Sequence, residues 1–456
     1  MKIQWQNPLG IKERIIVRGT LFLETPTHVG NGDVDGPTDM PLLLDPLENR
    51  ALLPGTSLAG ALRNYMRARD VRLAEILFGE VRGQESHPSP LIVDDALGAK
   101  PRVELRDGVA IDPQTRTALP DRKFDMELLE AGVEFPLSFE LLLPEQGANN
   151  LLRAFALALH GLENGEIRLG KRKRRGFGRC RVKDWCVDRY EVSTPAGMIA
   201  WLECRPSDTK RGPNIAPLLG VCLDGLEEPA SCRLTGTFTI TGSLLIRSKA
   251  GEPNAPDFVH LRSRRHETEV PVVSGTSLAG AIRARALRIA NTMHGSGPAI
   301  IENLFGNADK TGYKASRLWF EESVIDNCLD LVQSRIKIDR FTGGAYPGAL
   351  FSEQPVFGRL ACDSTVRLNL EIQQPTDSEI GLLLLLLKDL WTGDLPLGGE
   401  SAVGRGRLKG KEAVLRLRRG KVLEEWAFLD NNGKLEISGD KDKLELFVKA
   451  FTGGNR

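Results

Sequence analysis

The sequence lacks paired cysteines. Its seven cysteines stand at positions 180, 186, 204, 222, 232, 328 and 362, an odd count with no CxxC pair. That excludes a disulfide framework and a zinc site of the usual spacing, and it fits a reducing compartment. Long apolar runs are also missing. The longest lies in Ile380–Leu387, well short of the ~18–20 residues that cross a bilayer. The N-terminal MKIQWQNPLGIKERIIV has no apolar signal core. These absences predict a soluble, cytoplasmic chain with no membrane partner. No HExxH, P-loop, GxSxG or histidine cluster occurs. A net charge of +1 excludes a uniformly basic RNA coat. It still allows a basic stripe balanced by acid on other faces.

What is present is a chain of 456 residues, enough for about two to four domains. Its 41% hydrophobic and 27% charged residues are ordinary for a protein that buries a core. An internal repeat organises it. Pro54–Arg63 reads PGTSLAGALR and Ser274–Arg283 reads SGTSLAGAIR, 220 residues apart. Leu77-Phe78-Gly79 recurs as Leu304-Phe305-Gly306, LIVDDA at 91–96 answers LWFEES at 318–323, and Ala110-Ile111-Asp112 answers Lys337-Ile338-Asp339, all at an offset of 227. Gly176-Phe177-Gly178-Arg179 answers Gly404-Arg405-Gly406-Arg407 at 228. The repeat predicts a first domain at 1–190, a connector at 191–232, a second domain at 233–412 and a charged extension at 413–456 with a strand-then-helix pattern.

Each copy opens with period-two alternation, Ile15-Val17-Thr20-Phe22 and Leu234-Thr237-Phe238-Ile240, which predicts a strand. A Gly- and Asp-rich loop follows, then the GTSLAGA helix with Thr or Ser at its cap. Two strand-like segments come next, then helices over Leu151–Leu162 and Glu379–Leu390, a glycine-rich loop and a last strand. The order β-α-β-β-α-β predicts an α+β protein of two tandem ferredoxin-like, RRM-like domains.

Three elements are candidates for holding RNA. At the GTSLAGA helix start, Gly55, Thr56, Ser57 and their counterparts Gly275, Thr276 and Ser277 offer free N–H groups to phosphate, with Arg63 and Arg283 two turns further on. A tight strand-to-helix turn packed on the sheet explains the same residues, and both readings stand. The run Lys171, Arg172, Lys173, Arg174, Arg175 sits among glycines and concentrates charge on a mobile backbone. Copy two has lost most of that charge. The third element is RIKIDRFTGGAYPGALFSEQPVF at 335–357, a hairpin with Tyr346 and Phe351 as an apolar tip suited to wedging between bases. For chemistry, the loop at 27–46 holds Asp33, Asp35, Asp39 and Asp45. One or two such carboxylates can hold Mg2+ beside an RNA path, where the metal stabilises charge as a 2′-hydroxyl attacks. Turn capping is the plainer use of these aspartates. His28 reads as structural.

Together, THVGNGD, TDMPLLLDP…LPGTSLAGALR, LFG, IDRFTGGAYPGALF and the GFGR and GRGR closers resemble the RAMP superfamily of CRISPR-associated proteins, in order and twice over. Within it the chain looks most like fused backbone subunits of type III effector complexes, similar to the III-D variants. The resemblance implies crRNA, target RNA and other effector subunits as partners. It implies a thumb hairpin at Asp112–Glu127 and at Asp339–Pro355. It also implies target cleavage by an aspartate with Mg2+ or Mn2+, leaving a 2′,3′-cyclic phosphate. That aspartate falls on Asp39, which would also hold the metal. In copy two the same count back from the glycine gives Val259, and the nearest acid is Asp257, with Arg262, Arg264 and Arg265 beside it as phosphate contacts. A non-catalytic scaffold is the alternative within the same complex. A guide-processing ribonuclease ranks low because no histidine lies within 171–182. A protein-interaction module without RNA conflicts with the KRKRR run.

Overall fold

The computed structural model describes residues 10–453 apart from 33–37, 83–84, 113–114, 116, 226–227, 249–254, 266–267, 296, 310–311 and 360–362. Two compact units form. The first comprises the chain up to Leu105 with Asp125–Lys173 and Phe177–Glu228. The second comprises Arg106–Phe124, Arg174–Gly176 and the chain from Pro229 onward.

In the first unit the elements are β1 (Ile11–Leu23), α1 (Gly55–Arg67), α2 (Val71–Phe78), β2 (Leu91–Val93), a hairpin of β3 (Val103–Ile111) and β4 (Ala118–Leu129), β5 (Glu134–Pro144), α3 (Ala148–Glu163) and β6 (Cys180–Glu191). The hairpin's outer part belongs to the second unit. The sheet order β6-β1-β5-β2 is antiparallel throughout, as the ferredoxin-like order of elements requires. Alternation makes it work. Phe135, Leu137, Phe139, Leu141 and Leu143 all point inward from β5. They meet Leu58, Leu62 and Met66 from α1 and Leu151, Phe155 and Leu159 from α3, spaced to share one helical face. Each such side chain contributes roughly 1.5–3 kcal/mol when buried.

Residues 191–232 are more than the connector the sequence suggested. They form α4 (Pro195–Leu202), β7 (Asp208–Gly212), which extends the sheet beyond β6, and α5 (Ile215–Leu219), whose Ile215 and Leu219 join the first core. Short length and weak periodicity hid them.

The second unit repeats the plan. Its elements are β8 (Ser231–Thr241), β9 (Arg247–Ser248), β10 (Phe258–His260), β11 (Arg262–Arg265), β12 (Thr268–Val273), α6 (Gly275–His294), α7 (Pro298–Phe305), β13 (Leu318–Phe320), β14 (Ser323–Asp326), the hairpin β15 (Gln333–Ile338) and β16 (Ala345–Gln354), β17 (Thr365–Gln373), α8 (Asp377–Trp391) and β18 (Arg407–Arg419). The order β18-β8-β17-β13 matches the first sheet, and β14 also pairs with β17. Here the extension belongs to the fold. β18 runs through residue 412, then β19 (Val422–Asn431), β20 (Lys434–Ser438) and α9 (Lys441–Thr452) widen the sheet. Trp426 and Phe447 close against each other edge to face at 6.0 Å. A four-stranded sheet, β9-β10-β16-β15, carries the second hairpin. Both hairpins begin earlier than the sequence placed them, because each first strand precedes Asp112 or Asp339.

Among the described residues no helix is long and apolar enough to cross a membrane.

Candidate functional site

The turn that carries Asp39 is fastened to β4 by four hydrogen bonds, three from N–H groups and one from a hydroxyl. The Asp39 backbone N–H donates to Asp125 Oδ1 at 2.8 Å, and the Asp125 N–H donates back to Asp39 Oδ2 at 2.9 Å. Glu127, two residues on and on the same face of the strand, takes the Thr38 hydroxyl at 3.2 Å and the Leu42 N–H at 3.0 Å. Asp39 itself is exposed. Met40 and Met126 form a parallel bridge. Four groups thus hold the loop while one carboxylate faces solvent.

Copy two builds the same corner from different residues. Asp257 Oδ2 accepts the Ser352 N–H at 2.8 Å and its hydroxyl at 3.3 Å, and the Asp257 N–H donates to Ser352 Oγ at 3.3 Å. Asp257 is exposed, and β10 then runs parallel to β16 from Phe258. Ser352 lies 227 residues after Asp125, the repeat's own offset. Asp257 therefore occupies the corner that Asp39 occupies. Val259, reached by counting, pairs with Gln354 inside the strand.

For a cation the two corners differ. Asp39 and Asp125 each take the other's N–H, so this corner carries two carboxylates, which suits a hard cation that takes one or two of them and completes its shell with water and phosphate. Copy two brings one carboxylate and a serine. Among the described residues no three His, Cys, Asp or Glu side chains gather around a common point. Asp33 and Asp35 lie outside the described residues.

The first glycine of each GTSLAGA motif serves packing, whereas the second, Gly60 or Gly280, faces open space. A Cβ on Gly55 would lie 2.2 Å from the Val93 carbonyl oxygen, and one on Gly275 would lie 2.2 Å from that of Arg175. The Gly55 N–H donates to Asp95 Oδ1 at 2.7 Å, so that donor is already used. The helix cap falls one residue before the motif, at Pro54 and at Ser274, because both glycines are already helical. Ser274 accepts the Ser277 N–H, and Thr276 donates to Ser274. Thr56 and Ser57 are exposed.

Several of the cations are committed inside the chain. Arg63 donates to the Gly79 carbonyl at 3.1 Å. Arg262 pairs with Asp330, Arg264 with Glu269 at 3.5 Å, and Arg265 with Glu322. The basic run is ordered and divided. Within the second unit, the Arg174 carbonyl accepts the Phe320 N–H at 3.1 Å, and the Arg174 and Arg175 guanidinium groups lie over Trp319 and Phe320. Lys171 and Arg172 belong to the first unit and are exposed, and Lys173 is half-buried. Arg283 is exposed.

At the second hairpin, Tyr346 is exposed with the Lys337 ammonium 4.6 Å from its ring centre. Phe351 is half-buried and pairs with Arg335. The projecting aromatic is Phe341, 98% exposed. Asp339 holds that tip by accepting the Phe341 and Thr342 N–H groups at 2.7 and 3.1 Å, bonds that lower its pKa. The sequence reading passed over Phe341 and the partners Asp125, Glu127 and Ser352. The alternating Asp-Met-Glu at 125–127 was the available signal. Phe177 is core, packed with Met126, Leu128 and Met40. His28 is buried, its Nδ1 2.8 Å from the Glu127 carbonyl, and burial lowers its pKa.

Comparison with known proteins agrees with this repeated geometry. A stretch of 201 residues is 26% identical to the CRISPR system Cms endoribonuclease Csm3 of Streptococcus thermophilus, covering 38% of this chain and 90% of that protein. The RAMP superfamily pattern matches residues 20–181 and again 237–409. With two matches that span most of the chain and coincide with the two ferredoxin-like sheets, the chain belongs to the RAMP superfamily and carries its domain in tandem.

Proposed function

We infer that the chain is a crRNA-binding backbone subunit of a type III CRISPR effector complex, and that it cleaves guide-paired target RNA at two corners, Asp39 and Asp257. One observation carries the reading. Each aspartate is held at the base of a hairpin by residues 227 apart, Asp125 and Ser352, so the same corner is built twice, as two cleavage positions would require. The similarity to Csm3, named an endoribonuclease, supports RNA cleavage as the activity.

In this reading the hairpin tips, with Phe341 and Tyr346, interrupt base stacking and turn one nucleotide out of line. The freed target 2′-hydroxyl attacks its own phosphorus. The hydroxyl proton passes to water, a 2′-O–P bond forms, the P–O5′ bond breaks, the departing oxygen takes a proton from water to give a 5′-hydroxyl end, and a 2′,3′-cyclic phosphate remains. Asp39, with Asp125 beside it, would hold Mg2+ or Mn2+, and the ion would offset charge on the phosphate oxygens. Asp257 orients the same region in copy two with its single carboxylate. Lys171, Arg172 and Arg283, with the Thr56 and Ser57 hydroxyls, are the exposed groups suited to backbone phosphate.

The test is cleavage of an end-labelled complementary RNA by the assembled, guide-containing complex, in Mg2+ and in EDTA. Asp39→Ala and Asp257→Ala should each erase one cut by more than ~100-fold, beyond the scale of changes one step removed from a metal, with target binding intact. If only Asp39→Ala acts, copy two is a scaffold. If neither acts on a metal-dependent cut, the chain binds RNA and another subunit cuts.

A further inference from the structure

Behind Asp257 lies a charged group that cleavage as described does not use. Glu353 follows Ser352 on β16, so the two side chains point to opposite faces of the strand. Ser352 holds Asp257 on the outer face. Glu353 is 0% exposed on the inner face. Arg405 Nη2 lies 3.1 Å and Arg335 Nε 3.6 Å from its Oε2, and Arg247 Nη2 lies 3.5 Å from its Oε1. Glu400 shares the same three arginines, at 2.7 Å for Arg247, 3.4 Å for Arg335 and 3.1 Å for Arg405. Arg405 also donates to Gln333 Oε1 at 2.9 Å. The group therefore ties β9, β15, β16 and the glycine loop after α8 together. Burial and the neighbouring Glu400 push the Glu353 carboxyl up. Glu400, although burial opposes it, is held low by Glu353 and Arg247.

Stability is a poor reason for such a cluster, since buried ion pairs are often matched or bettered by apolar packing. Copy one shows the apolar version. Met126 stands 227 residues before Glu353 and Phe177 stands 228 before Arg405. They pack with Leu128 and Met40, directly behind Asp125, which holds Asp39.

We propose that the Glu353–Arg405 pair is a positioning element for Asp257, fixing β16 so that Ser352 presents its N–H and hydroxyl to the carboxylate, as Met126 and Phe177 fix β4 for Asp39. This rests on Asp257 being the residue that cleaves in copy two.

The test exchanges one plug for the other in the assembled complex. Glu353→Met and Arg405→Phe, singly, should slow the Asp257-dependent cut on the order of 100-fold, the scale of a ~1 Å misplacement. Target affinity and the Asp39-dependent cut should stay unchanged. The double variant should recover the cut. Amide exchange in peptides spanning Ser352 should quicken in each single variant and return to wild type in the double. If Asp257→Ala erases the cut while the single variants keep wild-type rate and exchange, the positioning role fails alone. If Asp257→Ala leaves the cut, the positioning role and the catalytic reading fail together. Should the single variants not assemble, Glu353→Gln carries the test: a slowed cut at unchanged affinity supports the role, and a wild-type rate overturns it.

Discussion

Copy one seats its aspartate on a methionine and a phenylalanine, and copy two seats its own on a glutamate and an arginine. Met126 and Phe177 are both 2% exposed, while Glu353 and Arg405 are 0% and 2% exposed. The backbone corner in front of them is alike. Each aspartate accepts an N–H from the strand residue just before the plug, at 2.9 Å and 2.8 Å. The difference teaches that the fold conserves the place of a contact more strictly than its chemistry. Apolar packing tolerates changes of shape at modest cost. A buried charge pair tolerates the loss of neither partner.

That contrast can be broken by stability measurements. The largest effect is expected from Arg405→Ala, which leaves Glu353 buried beside fewer cations and should cost about 3–5 kcal/mol, read as lower chemical-denaturation midpoints. Met126→Ala, at the matching place, should cost about 2–5 kcal/mol through its cavity, and because it removes no charge partner its cost should not change between pH 5 and pH 8. A cost for Met126→Ala that varied with pH would erase the distinction.

The second unit is also sensitive to acid. His260 is buried in the second unit, its Nδ1 accepting the Ile246 N–H at 3.2 Å and its Nε2 facing the Val272 carbonyl at 3.1 Å. A neutral ring with the proton on Nε2 satisfies both. Burial lowers its pKa to about 4. The unfolded chain takes up this proton first, so the stabilisation is complete above the ordinary value near 6.5 and is lost as pH falls towards 4. The loss approaches ~3 kcal/mol, at about 1.4 kcal/mol per unit. Melting temperature followed from pH 7.5 to 4.5 should fall, and His260→Asn should flatten that part of the fall.

The smallest stability effect is expected at the hairpin tip. Phe341→Ala should shift stability by no more than about 0.5 kcal/mol, as for any surface change. It should still alter how the complex engages guide-paired RNA, read by the accessibility of the nucleotide opposite the tip to a chemical probe. An unchanged probe pattern would remove Phe341 from the RNA path.

Much of this was legible in the sequence because it is local or repeated. Period-two alternation over Ile15–Val17 and Leu234–Ile240 gives the strands, the apolar face of Leu151–Leu162 gives a helix, and the GTSLAGA repeat gives the tandem. What failed was counting across loops. Asp39 lies 16 residues before Gly55 and Asp257 lies 18 before Gly275, so equal spacing pointed to Val259. Charge runs misled for a similar reason. KRKRR looked uniform, but Arg174 and Arg175 pack on Trp319 and Phe320, partners more than a hundred residues away.

By itself the sequence determined the ferredoxin-like order of elements and the duplication, since these follow from short-range periodicity and from motifs read twice. Only the tertiary structure decided that Asp257 stands in the second corner, that Asp95 occupies the Gly55 N–H, and that Phe341 rather than Phe351 forms the exposed tip. The first two depend on tertiary packing, which brings together residues 40 to 95 positions apart and which no local pattern encodes.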